Sequence, residues 1–103
     1  MKFIISSMSL GFFLAKDFLL EVHELSEEEF QALAYDGISH IGHQDIADIT
    51  NFAYNKQPIQ VRTGDVILVA QKYRGVLKFH CLQVMEAHPL IREEELYADE
   101  EMI

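Results

Sequence analysis

At 103 residues, half of them hydrophobic and 11% aromatic, the chain suits one folded domain with a genuine core, and a disordered chain is excluded. Seventeen acidic against eight basic residues leave a net charge of −9, which argues against gripping long DNA or RNA but not against holding a small anion with a few aimed donors. One cysteine, Cys81, rules out an intramolecular disulfide and fits a reducing compartment, and no stretch approaches the roughly 18 apolar residues that a membrane span needs.

Lys2 with the apolar Phe3-Ile4-Ile5, followed by a second apolar stretch at residues 10–15, has the outline of a signal peptide. Ser6, Ser7 and Ser9 break that outline, and no A-x-A cleavage site follows. The expectation is a buried strand at residues 2–6 and a short helix at 9–17, in a cytoplasmic protein (host-cell cytoplasm if it is viral). Residues 18–24 alternate as a strand does. Ser26 then opens a helix: with Glu29 it forms the S-x-x-E capping box, and Glu27 and Glu28 suit the positive helix end. Phe30, Leu33 and Ala34 supply the apolar side of this helix, and Asp36-Gly37 stops it.

Residues 38–41 read as a short apolar strand running into Gly42, and His43 stands where a second helix begins. Ile46, Ile49 and Ala53 recur at i, i+3, i+7, which carries that helix to Tyr54. Pro58 sits in a loop before a brief strand at 59–62, and Thr63-Gly64-Asp65 is a turn. Residues 66–70 form a continuous apolar run typical of a central strand, and Tyr73-Arg74-Gly75 turns the chain into a last strand at 76–85. The expected fold is a single α/β domain at residues 1–90, a mixed sheet of about five strands flanked by short helices. An acidic tail at 91–103 follows, read as a solvated helix or frayed end.

The chemistry gathers at a few positions. A helix start is a prepared anion site, because its first backbone N–H groups lack intrahelical partners. At the Gly42-His43 junction an imidazole adds a side chain suited to proton transfer. The competing reading is that Gly42 eases a tight turn and His43 only caps the helix. A similar choice arises at Ser6, Ser7 and Ser9: Ser9 caps the short helix, or this turn and the junction together hold phosphates or ribose oxygens. Lys72 and Arg74, the cations nearest in sequence to the end of the central strand, are either solvated or phosphate contacts. His40 and His43 stand i, i+3 with Asp45 close by, but His23, His80 and His88 are scattered, so neither a metal nor a cofactor is expected. No G-x-S-x-G elbow exists, and Cys81 lies in an apolar run as a small core filler.

A strand ending in the serine turn at residues 3–9 is followed by the acidic capped helix at 25–30 and by Ile41-Gly42-His43 with Ile46-Ala47 and Asn51. Gly64-Asp65, residues 66–71 and the Tyr73-Arg74-Gly75 turn complete the order. In that order the chain resembles the small viral ring-nuclease family, the anti-CRISPR proteins that destroy cyclic tetra-adenylate made by type III systems, and their phage, plasmid and archaeal-virus relatives. The resemblance implies a homodimer with a cyclic oligonucleotide across its two-fold axis, where each half of the ring meets an identical surface. It also implies metal-independent RNA cleavage, in which a ribose 2′-OH attacks the adjacent phosphorus, expels the 5′-oxygen and leaves a 2′,3′-cyclic phosphate.

On this resemblance His43 matches the family's histidine, a general acid protonating the leaving oxygen. Ser6 and Ser9 match the serine-turn positions, with Ser6 standing where relatives commonly carry asparagine. Ser7, Gly42, Gln71, Lys72 and Arg74 complete the expected ligand-binding set. One departure is plain: relatives usually carry a loop with an arginine and a glutamate before the last strand, and here Tyr73-Arg74-Gly75 passes directly into Val76. Two alternatives therefore stand beside a nuclease. One is a sponge that holds a cyclic nucleotide without turnover; the other is an acidic protein–protein inhibitor using the tail at residues 93–101.

Overall fold

Two apolar runs set the centre of the protein. In the computed structural model, which describes residues 1–8 and 13–89, strand β1 (Lys2–Ile5) lies parallel to strand β4 (Val66–Tyr73), with Phe3 beside Ile67 and Ile5 beside Val69. Strands β2 (Ala15–Leu25), β3 (Ile38–Ser39) and β5 (Val76–Pro89) complete one mixed sheet in the order β2-β5-β4-β1-β3. The three strands around β1 run parallel, and β5 pairs antiparallel with β4 and β2 on its two sides. Helices α1 (Glu27–Ala34) and α2 (Gln44–Thr50) lie on the connections leading into β3 and β4. The protein is thus a single α/β domain, as expected. No helix among the described residues is long and apolar enough to cross a membrane.

Side chains alternate across each strand, so the sheet buries a cluster on either face. On one face Phe3, Ile5, Ile67, Val69, Leu82 and Val84 meet Phe13, Ile59 and Val61 from the flanking segments. On the other, Ile4, Leu68, Ala70 and Phe79 pack against Phe30 and Ala34 of α1 and Ile46 and Ala47 of α2. Phe30 has no exposed surface; its ring lies 4.7 Å from that of Phe79 and 6.1 Å from that of Phe52. Burying such a ring contributes roughly 1.5–3 kcal/mol. This second cluster fixes α2, and with it His43, against the end of the central strands.

The capping box forms as its sequence dictates. Glu29 N–H donates to Ser26 Oγ at 3.1 Å, and Ser26 N–H donates to Glu29 Oε1 at 3.0 Å. The backbone bond from Ser26 is the main reason the Glu29 carboxyl lies below its ordinary range.

Several expected elements differ. The helix expected at 9–17 is contradicted where the structure describes it, because Ala15 and Asp17 begin β2 and pair with Pro89 and His88. That long-range pairing supplies the backbone hydrogen bonds and sets Phe18 5.4 Å from Phe13. Ser9 lies outside the described residues, as does the acidic tail at 91–103. The strand expected at 59–62 is reduced to a bridge between Ile59 and Phe13, although Ile59 and Val61 are both buried. Helix α2 stops at Thr50 rather than Tyr54, because Asn51 adopts φ 62°, a left-handed cap that asparagine tolerates. Its buried residues are Ile46, Ala47 and Thr50, while Ile49 is 55% exposed and Ala53 lies beyond its end. Strand β5 extends past residue 85 to Pro89 because β2 pairs along its length.

Candidate functional site

Ser6 leaves the end of β1 and is 4% exposed. Its Oγ accepts the Gly42 N–H at 3.2 Å and lies 2.7 Å from His43 Nδ1. One buried hydroxyl therefore ties the first strand to the junction that opens α2. His43 occupies the N-cap position with extended backbone, and its carbonyl accepts the Ala47 N–H at 3.0 Å, yet its side chain makes no capping hydrogen bond. The capping role belongs to the backbone alone, and the ring is engaged with Ser6. Gly42 meets a steric demand rather than a conformational one: a Cβ there would come within 3.0 Å of Lys56 Cγ.

A cleft of about 150 Å³ opens beside this pair, lined by Ser6, Ser7, His43, Asp45, Ile46, Gln71 and Lys72. It lies where β1 and β4 end and α2 begins, the carboxyl edge at which parallel strands usually present ligand groups. The sequence-derived candidates Ser6, Ser7, His43, Gln71 and Lys72 are thus brought together. Asp45 is the residue that sequence reasoning missed as a cleft group. Its Oδ2 accepts from Lys72 Nζ at 2.9 Å, and that bond is the main cause holding the Asp45 carboxyl below its ordinary range. Nothing local in the sequence could pair residues 45 and 72, which meet only because α2 packs on β4.

The remaining candidates lie elsewhere. Gly42 adjoins the cleft through its N–H bond to Ser6. Arg74 sits at the tip of the β4–β5 hairpin at φ 52°, its guanidinium 5.5 Å from the Tyr73 ring centroid, and does not line the cleft. His40 turns to separate partners: its Nδ1–H donates to the Gln57 carbonyl at 2.8 Å, and its ring meets Phe3 edge-on at 5.4 Å. Among the described residues no group of three or more His, Cys, Asp or Glu side chains is arranged to hold a metal ion. Cys81 is partly buried against the cluster around α1, and burial pushes its thiol up.

Sheet order and cleft together define a small α/β protein with a histidine–serine pair at the end of its parallel strands. Its architecture is similar to that of B116 of Sulfolobus turreted icosahedral virus, with a TM-score of 0.61 at 15% sequence identity over 80% of this chain and 97% of that one. At this identity the likeness is one of fold. No protein-family model and no curated protein matches the chain.

Proposed function

We propose that the His43 cleft binds a cyclic oligoadenylate, with two copies of the chain facing one ring, and opens the ring without a metal ion, suppressing type III CRISPR signalling. The observation that carries this reading is the engagement of His43 Nδ1 by buried Ser6. It leaves Nε2 without a protein partner among the described residues, in a cleft that also offers the Ser7 hydroxyl, the Gln71 amide and the Lys72 ammonium. Hydroxyl and amide groups position a ribose and its phosphate, and the ammonium answers phosphate charge. In the step itself a 2′-oxygen forms a bond to the adjacent phosphorus as its proton passes to water. The bond from phosphorus to the 5′-oxygen breaks, and that oxygen takes a proton from His43 Nε2. Most of the rate comes from holding the 2′-OH in line. A symmetric ring suits an isologous dimer, which doubles the donors of a small cleft.

A second reading, capture without turnover, is favoured by the hairpin. Tyr73 pairs with Val76, so the turn has no room for a loop bearing an arginine and a carboxylate. One assay separates the two: labelled cyclic tetra-adenylate is incubated with the protein in EDTA and the products are resolved, with His43→Ala alongside. Cleavage lost in the variant supports the nuclease. Intact ligand retained on the wild type supports the sponge, and absence of both sinks the two readings together.

A further inference from the structure

The Ser6 hydroxyl has one proton and two lone pairs, and one lone pair already accepts the Gly42 N–H at 3.2 Å. Among the described residues, the acceptor within reach of that proton is His43 Nδ1, 2.7 Å away. If Nδ1 instead carried the ring proton and donated to Oγ, the proton of a hydroxyl on a residue only 4% exposed would lack an acceptor among the described residues. We infer that Ser6 is a positioning residue that sets the tautomer of His43: Oγ–H donates to Nδ1, and the neutral ring carries its proton on Nε2. The cleft then presents a donor at His43, matched to an anionic oxygen. The same contact orients a ring that no capping bond holds. Asp45 and Lys72, paired with each other, are the charged side chains lining the cleft with it.

The catalytic consequence rests on the nuclease reading; the tautomer does not. When the ring carries a second proton, Nδ1–H donates to Oγ, and the serine accepts from the ring instead of donating to it. Transfer of the Nε2 proton to the leaving 5′-oxygen then leaves a neutral ring that still donates from Nδ1 to Ser6. The serine thus reverses its polarity when the ring gains its second proton and keeps the ring in place throughout.

Nitrogen-15 spectra of the His43 ring in the ligand-free full chain, recorded where the ring is neutral, test the tautomer. The expected result is a protonated Nε2 and a bare, hydrogen-bonded Nδ1 whose shift moves in Ser6→Ala. A protonated Nδ1, or ring shifts identical in a folded Ser6→Ala, overturns the inference. In turnover of cyclic tetra-adenylate, Ser6→Ala is expected to lower kcat about 10- to 100-fold with KM held, a part of the roughly 100- to 10,000-fold that a positioned general acid supplies. Ser6→Thr, which keeps the hydroxyl, restores the rate, and Ser6→Ala adds nothing to His43→Ala. An equal further loss on the His43→Ala background would instead make Ser6 a separate ligand contact. If the wild type cleaves nothing, the nuclease reading fails alone, and the wild-type ring spectrum still decides the role of Ser6.

Discussion

Lys72 Nζ lies 2.9 Å from Asp45 Oδ2 across 27 residues of sequence, and both side chains line the cleft beside His43. The cation offered to a ligand is therefore already met by a carboxylate of the chain itself. The pair is exposed to solvent on both sides, so it is weak, and an incoming phosphate can replace the carboxylate at little cost. Asp45→Asn is expected to bind cyclic tetra-adenylate a few-fold more tightly. Lys72→Gln is expected to bind it several-fold more weakly and with a shallower salt dependence. Calorimetric titration at two salt concentrations checks both, and equal affinities for all three proteins would remove Lys72 from the ligand.

The acidic limb of stability follows from the same pair and from Lys2, whose Nζ lies 2.9 Å from Asp36 Oδ1. Hydrogen bonds from these lysines hold the Asp45 and Asp36 carboxyls below their ordinary range. A depressed folded value means that the unfolded chain takes up its protons first. The stabilisation is therefore present above the ordinary carboxylate range and is lost as pH falls through the depressed values. Urea unfolding at neutral and at acidic pH should show a smaller acid loss in the Asp36→Asn, Asp45→Asn double variant than in the wild type.

What could be read along the chain was local. Ser26 and Glu29 announce their helix because a capping box needs only four consecutive residues. Residues 66–70 announce a central strand because burial on both faces forces an unbroken apolar run. The segment around Ala15 misleads because its strand exists only through β5, more than 60 residues away. The cleft was legible in part. Ser6, His43 and Lys72 stand out as residue types at the ends of apolar runs, but the bond from Ser6 to Nδ1 and the Asp45 partnership depend on how β1, α2 and β4 pack.

Phe30 joins α1 to the sheet and has no exposed surface. Phe30→Ala is expected to cost about 3–5 kcal/mol, since the cavity left between Phe52 and Phe79 adds to the lost burial. Denaturant unfolding measures it, and a loss below about 1 kcal/mol would mean that the cluster repacks.

The hairpin tip offers a contrasting site. Arg74 at φ 52° and Gly75 at φ 78° occupy the left-handed region, as a two-residue type I′ turn requires. Arg74→Asn is expected to raise the melting temperature slightly and leave ligand affinity unchanged, because Arg74 does not line the cleft. Gly75→Ala places a Cβ at positive φ and is expected to lower stability by about 1 kcal/mol. A marked affinity loss in Arg74→Asn would bring the guanidinium into the ligand site.

The most direct test is to titrate cyclic tetra-adenylate into nitrogen-15-labelled protein in EDTA and follow the backbone amides. The expected perturbations cluster at Ser6, Ser7, Gly42, His43, Gln71 and Lys72 and spare Asp17, Leu19 and Glu86 at the far end of the sheet. Perturbations centred away from His43, or none at saturating ligand, would contradict a cyclic oligoadenylate site in this cleft.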